Sequence, residues 1–422
     1  MSDISYQKPK GTNDTLPIDS EKWQIVESKA RQIFSLYNFK EIRTPIFENF
    51  EVFSRSAGET SDIVQKEMYD FYDKGDRHLA LRPEGTAGVV RSFVENKLYG
   101  PEFDKPYKVW YQGTMYRYER PQSGRQREFN QIGVEALGDN SVQLDAQIIK
   151  MALDFFNELG LKNLKLSINS LGNEQSRDSY RTKLIEYLTP LKDQLSDDSK
   201  KRLDKNPLRI LDSKDENDKK IVENAPKMID YLDEDSSQRF DQLRKLLEKL
   251  NIDYTVNSDM VRGLDYYNDT IFEITSDVKE LGSQATIAGG GRYANLVEEF
   301  GGPSTPSIGF AIGLERLISI IDFDQFESIK LDTYIIGLSE FDDTKLKIAT
   351  YLRDQKMSVD FDFAQRSIKA QQKTIDKIKP YSYFEIIDAD NLKYKDLETG
   401  SEQEFLTADL LDNKIYLDED ND

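Results

Sequence analysis

The sequence predicts an α+β domain with a mostly antiparallel sheet and a helical insertion, followed by a small α/β C-terminal domain. Two changes of texture along the chain predict it. Apolar strand-like segments up to about Ile312 are interrupted from about Asn173 to Leu250 by charged text with helical spacing, and past about Ile329 strands and helices alternate. The boundaries expected are 1–328 for the first domain, with its insertion at about 173–250, and 329–422 for the second. With 422 residues, 38% of them apolar, the chain can fill about two or three cores.

The elements follow in order. Ser20, after Pro17, is the expected N-cap of a helix whose Trp23, Val26, Ile33, Phe34 and Tyr37 recur at helical spacing. Ile42 to Phe47 reads as extended, and Pro45, which cannot donate to a ladder, suits a strand end or a subunit boundary. Tyr107 to Glu119 and Ile132 to Leu137 read as an antiparallel pair joined by an arginine-rich loop. A helix from about Ser141 to Leu159, closed by Gly160, precedes a strand at Leu164 to Ile168. After the insertion, strand-like segments return at Met260 to Arg262, Thr270 to Ile274, Ala285 to Ala288 and Ser307 to Ile312, and Gly313 opens a helix from Leu314 to Ile318. The second domain reads as strand Tyr334 to Leu338, helix Lys345 to Gln355, strand Ser358 to Phe361, helix Ile368 to Lys379 and strand Tyr383 to Ile387, with an added hairpin around Glu398 to Ser401.

Composition narrows the chemistry. Cysteine is absent and histidine occurs once, at His78, which excludes disulfides, thiolate zinc sites, cysteine nucleophiles and multi-histidine metal sites. His78 sits in an alternating strand pattern and is expected to be structural. Catalysis must therefore use arginines, carboxylates and hydroxyls. No apolar run approaches the ~18 residues that span a bilayer, and Met1-Ser2-Asp3-Ile4 lacks the layout of a secretory signal, so no membrane and a cytoplasmic location are expected. A formal charge of −20 opposes loose adsorption to nucleic acid, so an RNA partner would need local basic stripes.

Against that acidic background, Arg117, Arg120, Arg125 and Arg127 surround Glu119. Guanidinium offers a planar fork of donors that fits phosphate or carboxylate, so this concentration predicts a bound anion. Polar clusters also end predicted strands at Arg82-Pro83-Glu84-Gly85-Thr86, at Arg262-Gly263-Leu264-Asp265-Tyr266-Tyr267 and at Gly289-Gly290-Gly291-Arg292-Tyr293. If they converge, arginines and carboxylates without nucleophile or histidine ligand suit phosphoryl or nucleotidyl transfer, where catalysis is positioning and charge neutralisation. Neither a P-loop nor a dinucleotide fingerprint is present.

Leu81-Arg82-Pro83-Glu84-Gly85-Thr86, Tyr116-Arg117-Tyr118-Glu119-Arg120-Pro121-Gln122, Arg262-Gly263-Leu264-Asp265-Tyr266-Tyr267 and Gly313-Leu314-Glu315-Arg316-Leu317 resemble, in order, the amino-acid loop, motif 2, histidine-specific motif and motif 3 of the histidyl-tRNA synthetases, a family of class II aminoacyl-tRNA synthetases. Pro45 falls where motif 1 has its proline. The resemblance implies ATP as a substrate with Mg2+, histidine and its tRNA as partners, and a homodimer. It implies Arg117 and Arg262 as the catalytic pair across the α-phosphate, and Glu119, Arg125, Phe129 and Arg316 at ATP. It also places Glu84, Thr86 and Gln131 at the α-amino group of histidine, Glu135 and Tyr267 at the imidazole, and Tyr266 and Tyr293 in the pocket wall. No protein side chain is assigned to the metal.

On the RNA side the resemblance puts Arg120 and Gln122 near the acceptor stem and the C-terminal domain at the anticodon. Arg366, Lys369, Lys373 and Lys377, spaced by three and four, are expected to give one basic face to a helix. Lys10, Ala294 and Ile386-Ile387-Asp388 depart from the family pattern. The alternative implied by the same resemblance is a catalytically inactive regulatory subunit of ATP phosphoribosyltransferase. Such a subunit typically loses catalytic residues and the anticodon domain, whereas Arg117, Arg125, Arg262 and Arg316 and residues 329–422 are all present.

Overall fold

A computed structural model describes residues 6–56, 61, 63–122, 124–211, 213, 215–261, 266–278, 286–327 and 329–412. The chain divides into two compact units, Met1–Gln325 and Phe326–Asp422.

Helix α1 (Pro17–Leu36) starts at the proline, with Leu16 as its N-cap, and so begins before the expected Ser20. Proline is suited to this first turn because its missing N–H would have no partner there. Val26, Ala30, Ile33 and Phe34 form its buried stripe. Short strand β1 (Lys40–Glu41) follows, and β2 (Phe47–Asn49), β3 (Asp70–Tyr72) and β4 (His78–Leu81) make a small antiparallel sheet in the order β2-β4-β3. His78 stacks between Phe50 and Tyr72, with ring centroids 4.2 and 4.7 Å away, and its Nε2 lies 2.8 Å from Asp70, a structural setting. Helix α2 (Phe50–Ser56) flanks this sheet, and α3 (Thr86–Glu95) leaves the loop after β4.

The central sheet is built from β1, β5 (Tyr107–Tyr116), β6 (Glu128–Leu137), β7 (Leu164–Ser170), β8 (Thr255–Val256), β9 (Tyr267–Ser276), β10 (Thr286–Tyr293) and β11 (Ser307–Gly313). Its order is β1-β5-β6-β11-β10-β9-β7-β8, antiparallel except where β1 meets β5 and β7 meets β8. Met260 and Val261, expected as the start of a strand, lie outside any strand. Helix α4 (Val142–Glu158) ends as the sequence indicates, with Gly160 at φ +72° just past it. On one face of the sheet, Phe34 of α1 and Phe155 of α4 lie 5.5 Å apart, and Phe34 packs edge-on against Phe310 of β11. All three are buried, and each aromatic ring removed from water contributes about 1.5–3 kcal/mol.

The insertion is helical: α5 (Glu174–Leu188), α6 (Asp197–Lys205), α7 (Glu216–Val222) and α8 (Glu234–Lys249), with single turns between them. Side-chain caps start each of these helices, from Asn173, Ser196, Asp215 and Asp233. Short α9 (Leu296–Glu299) and α10 (Leu314–Ile318) complete the first unit.

In the second unit β12 (Thr333–Ile336) lies between β13 (Val359–Phe361) and β14 (Ser382–Ile386) in parallel pairing. The hairpin β15 (Asn391–Asp396) and β16 (Glu402–Leu406) adds antiparallel strands, and α11 (Asp342–Asp354), α12 (Ile368–Ile378) and α13 (Thr407–Leu411) flank the sheet. Arg366 precedes α12 and is tied to Asp362 at 2.7 Å through two of its nitrogens. The expected basic stripe thus loses its first member to an ion pair, while Lys369, Lys373 and Lys377 remain exposed on the helix.

Candidate active site

Strand alternation builds the site. Along β6 the odd-numbered Phe129, Gln131 and Glu135 face a cavity of about 320 Å³, while Ile132, Val134 and Ala136 are fully buried. On β11 the matching positions are small, because Gly309 pairs with Glu135 and a Cβ there would sit 2.0 Å from Glu135 Oε2. In β10, a Cβ on Gly290 would meet Gly309 O at 2.2 Å, and one on Gly291 would meet Thr270 O at 2.6 Å. The glycine triplet therefore lets strands approach, inside β10 rather than at its end as the sequence suggested. A register slip between Gly291 and Arg292, with Asp269 at φ +45°, bulges β9 and brings Tyr267 opposite Tyr293.

Arg292 is absorbed elsewhere. It is 2% exposed and donates from Nε to Asp145 at 2.6 Å, from Nη1 to Asp139 O and from Nη2 to Ser141 O, while Arg239 and Thr270 also donate to Asp145. This is structural, and it removes the arginine from the cavity.

One group of cavity residues is acidic and aromatic. The Glu84 carboxylate accepts from the backbone N–H of Thr86 at 2.7 Å and of Ala87 at 2.8 Å, closing the N-terminus of α3. Thr86 Oγ1 donates to Glu135 Oε1 at 2.7 Å, and the Tyr293 hydroxyl donates to Glu135 Oε2 at 2.6 Å. Burial pushes the Glu135 carboxyl up to about 8 against these two donors, with Glu84 adding to the rise. Burial raises Glu84 too, opposed by its backbone donors and by Arg117. Tyr266 and Tyr267 lie 4.7 Å apart at the same wall.

The other group is cationic. Arg117 donates from Nε to Pro83 O at 2.8 Å and stands 5.2 Å over the Phe129 ring. Arg125 pairs with Glu119 at 2.6 Å, and Arg316 donates to Thr286 O at 3.0 Å and Gly124 O at 3.2 Å. Burial, then the charges of Arg125 and Arg117, hold the Arg316 guanidinium below its usual range, with Glu119 opposing. Like charges so crowded call for an anion.

The cavity therefore gathers Glu84, Thr86, Arg117, Glu119, Arg125, Phe129, Gln131, Glu135, Tyr266, Tyr267, Tyr293 and Arg316. Arg262 lies outside the described residues. Arg127 does not join the other arginines: it stacks 3.8 Å over Tyr118 and donates to Glu119 O. Arg120 and Gln122 are exposed and do not line the cavity. Two residues quoted within the sequence motifs were given no role of their own there. Glu315 lines the cavity with its pKa raised by burial, and accepts from Asn130 N and Nδ2 at 2.8 and 3.1 Å; its place beside Arg316 was the available signal. Buried Arg82 donates to Thr114 O and Thr44 O, fixing the loop that carries Glu84, and its place at the head of that polar cluster was the signal.

A mostly antiparallel sheet that presents arginines and buried carboxylates in one cavity, with motif 2 and motif 3 residues side by side, defines a class II aminoacyl-tRNA synthetase. The comparisons with known proteins narrow the class. Residues 11–317 match the family model described as histidyl-tRNA synthetase. The histidine–tRNA ligase of Limosilactobacillus fermentum is 54% identical over 424 residues, 98% of each chain. Apo S. aureus histidyl-tRNA synthetase superposes with a TM-score of 0.82 at 36% identity, covering 97% of this chain and 99% of that one. The chain belongs to the histidyl-tRNA synthetase family. A Bacillus halodurans protein described as an ATP phosphoribosyltransferase regulatory subunit/histidyl-tRNA synthetase shares the fold, with a TM-score of 0.65 at 21% identity over 91% of this chain and 98% of that one.

Proposed function

We infer that this protein is a histidine–tRNA ligase, which activates histidine with ATP and then transfers the histidyl group to the 3′ end of its tRNA. The observation that carries the reading is the division of one cavity. Arg117, Arg125 and Arg316 offer charge to a triphosphate, and Glu84, Thr86 and Glu135 offer buried polar groups to an amino acid. Arg117 stands between, since its charge acts on both Glu84 and Arg316.

In the first step a carboxylate oxygen of histidine attacks the α-phosphorus of ATP, an O–P bond forms, and the P–O bond to pyrophosphate breaks. Two anions meet, so a cation between them lowers the barrier more than it stabilises either alone. Arg117 takes that role, with Arg262 proposed opposite it. Arg125 and Arg316 hold the triphosphate, Phe129 stacks on adenine and Glu119 faces it. In the second step a terminal ribose hydroxyl of the tRNA attacks the acyl carbon, the bond from that carbon to the phosphate oxygen breaks, and AMP leaves as the hydroxyl proton passes to its phosphate or to water. Neither step requires an enzyme nucleophile.

Neutral imidazole has one donor and one acceptor nitrogen; Glu135 and Tyr267 can satisfy both, and an apolar side chain would leave them unpaired. Gln131 and Glu84 with Thr86 receive the α-amino group. The Glu315 carboxyl, beside Arg316 in the cavity, is the side chain that would hold a magnesium ion, which would supply countercharge to the triphosphate. Among the described residues no three acidic or histidine side chains form a metal cluster of their own.

For tRNA, exposed Arg120 and Gln122 are proposed at the acceptor end, and Lys369 and Lys373 on α12 at the anticodon side, with Arg366 contributing less while paired to Asp362. A homodimer and a cytoplasmic location are proposed alongside. No described helix is long and apolar enough to cross a membrane. ATP–pyrophosphate exchange with each amino acid tests the reading: exchange driven by histidine alone is expected, and exchange with none in folded protein, or with a different amino acid, overturns it.

A further inference from the structure

Tyr111 on β5 pairs with Gly133 on β6 and is 4% exposed. Two glycines make its slot. A Cβ on Gly133 would lie 2.1 Å from Tyr111 Cζ and 2.2 Å from its hydroxyl, and one on Gly85 would lie 2.1 Å from Cε2 and 2.7 Å from the hydroxyl. The ring thus spans from the strand carrying Glu135 to the loop carrying Glu84 and Thr86. Among the described residues its buried hydroxyl meets no partner at full hydrogen-bond geometry, and Thr86 is the side chain placed to interact with it. Phenylalanine would fill the same slot without burying an unpaired polar group, which costs stability.

The groups facing that hydroxyl come from every element around it. They are Glu84 and Thr86 from the loop and start of α3, Glu135 from β6, and Tyr267 from β9. Tyr293 of β10 and Arg82 also feel Tyr111, Tyr266 faces the same two carboxyls, and Arg117 acts on Glu84. The Tyr111 hydroxyl stands beside Thr86, whose own hydroxyl donates to Glu135 and so keeps its oxygen lone pairs for a donor. We propose that Tyr111 is a positioning residue for the amino-acid site: its ring sets the spacing between Glu84 and Glu135, and its hydroxyl supports the Thr86–Glu135 pair in the ionised state that receives imidazole. The arrangement rests on the assignment of this cavity to histidine.

The sign of the effect follows from donor chemistry. A donor near a carboxylate favours its charged form, so removing the donor makes Glu135 harder to ionise. Tyr111→Phe keeps the ring and its slot. Histidine-dependent pyrophosphate exchange by Tyr111→Phe is expected to show KM for histidine raised roughly tenfold, with kcat nearly unchanged. The acid limb of kcat/KM for histidine should move to higher pH, while KM for ATP stays as it was. A purely structural role would change the thermal midpoint and leave that limb in place, and this outcome, or an unchanged KM for histidine, overturns the proposal. Absence of histidine-dependent exchange in the unaltered protein would instead remove the assignment of the cavity, so the two failures are distinguishable.

Discussion

Thr86 Oγ1 lies 2.7 Å from Glu135 Oε1, joining the first turn of α3 to the last part of β6 across 49 positions of sequence. That contact holds an acidic pair in a space where Glu84 and Glu135 are both almost fully buried. It sets up the conflict from which the first prediction follows.

Glu135 is pushed up to about 8 from an ordinary 4.5, mainly by burial. A carboxyl raised in the folded state leaves stability intact below its ordinary value and removes it as pH rises through about 8. Glu135→Gln should therefore be more stable than the unaltered protein, with a gap that widens from pH 5 to pH 8 and reaches of order 1–3 kcal/mol. Thermal unfolding across that range checks it. The same variant should lose roughly 100-fold or more in kcat/KM for histidine, since stability and function oppose each other at this position.

Arg117→Ala should lower kcat for pyrophosphate exchange by about 100- to 1,000-fold, the usual loss when one group stabilising transition-state charge is removed. Among the described residues the Arg117 side chain donates to a single backbone carbonyl and contacts the Phe129 ring, so the thermal midpoint should barely move. Steady-state kinetics beside a melting curve separate the two effects.

Gly309→Ala places a methyl group where Glu135 Oε2 and Val134 O already stand, at 2.0 and 2.3 Å. Overpacking of this kind costs about 1–3 kcal/mol. The displaced carboxylate should also raise KM for histidine while leaving KM for ATP within about twofold, a split that kinetics with each substrate varied in turn will read.

Asp145→Ala strands Arg292 in the core without its countercharge. Asp145 is fully buried and also receives Arg239 and Thr270, so the loss should be about 3–5 kcal/mol. Denaturant titration measures it directly, and a loss under ~1 kcal/mol would show that the network relaxes onto other partners.

Much of this arrangement was legible in the chain. The antiparallel pair read at Tyr107 to Glu119 and Ile132 to Leu137, with the arginine-rich loop between them, located one wall, and Gly160 closed α4 where the pattern said it would. What failed did so for tertiary reasons. Arg292 and Arg127 carry the same charge as Arg117, and only packing against Asp145 or Tyr118 distinguishes a structural guanidinium from one that faces the cavity. Arg366 matched a helical spacing, but Asp362 holds it ahead of α12. Tyr111 lay unremarked inside the strand read at Tyr107 to Glu119, since its slot is cut by Gly85 and Gly133, two glycines on different elements. No local rule joins them.

The most direct measurement is a crystal structure of the protein with histidine and a non-hydrolysable ATP analogue. The account predicts the imidazole within hydrogen-bonding distance of Glu135 and Tyr267, and the α-phosphate beside Arg117 with the Arg262 guanidinium on its other side. An imidazole seated away from Glu135, or an α-phosphate that Arg117 does not touch, would contradict it.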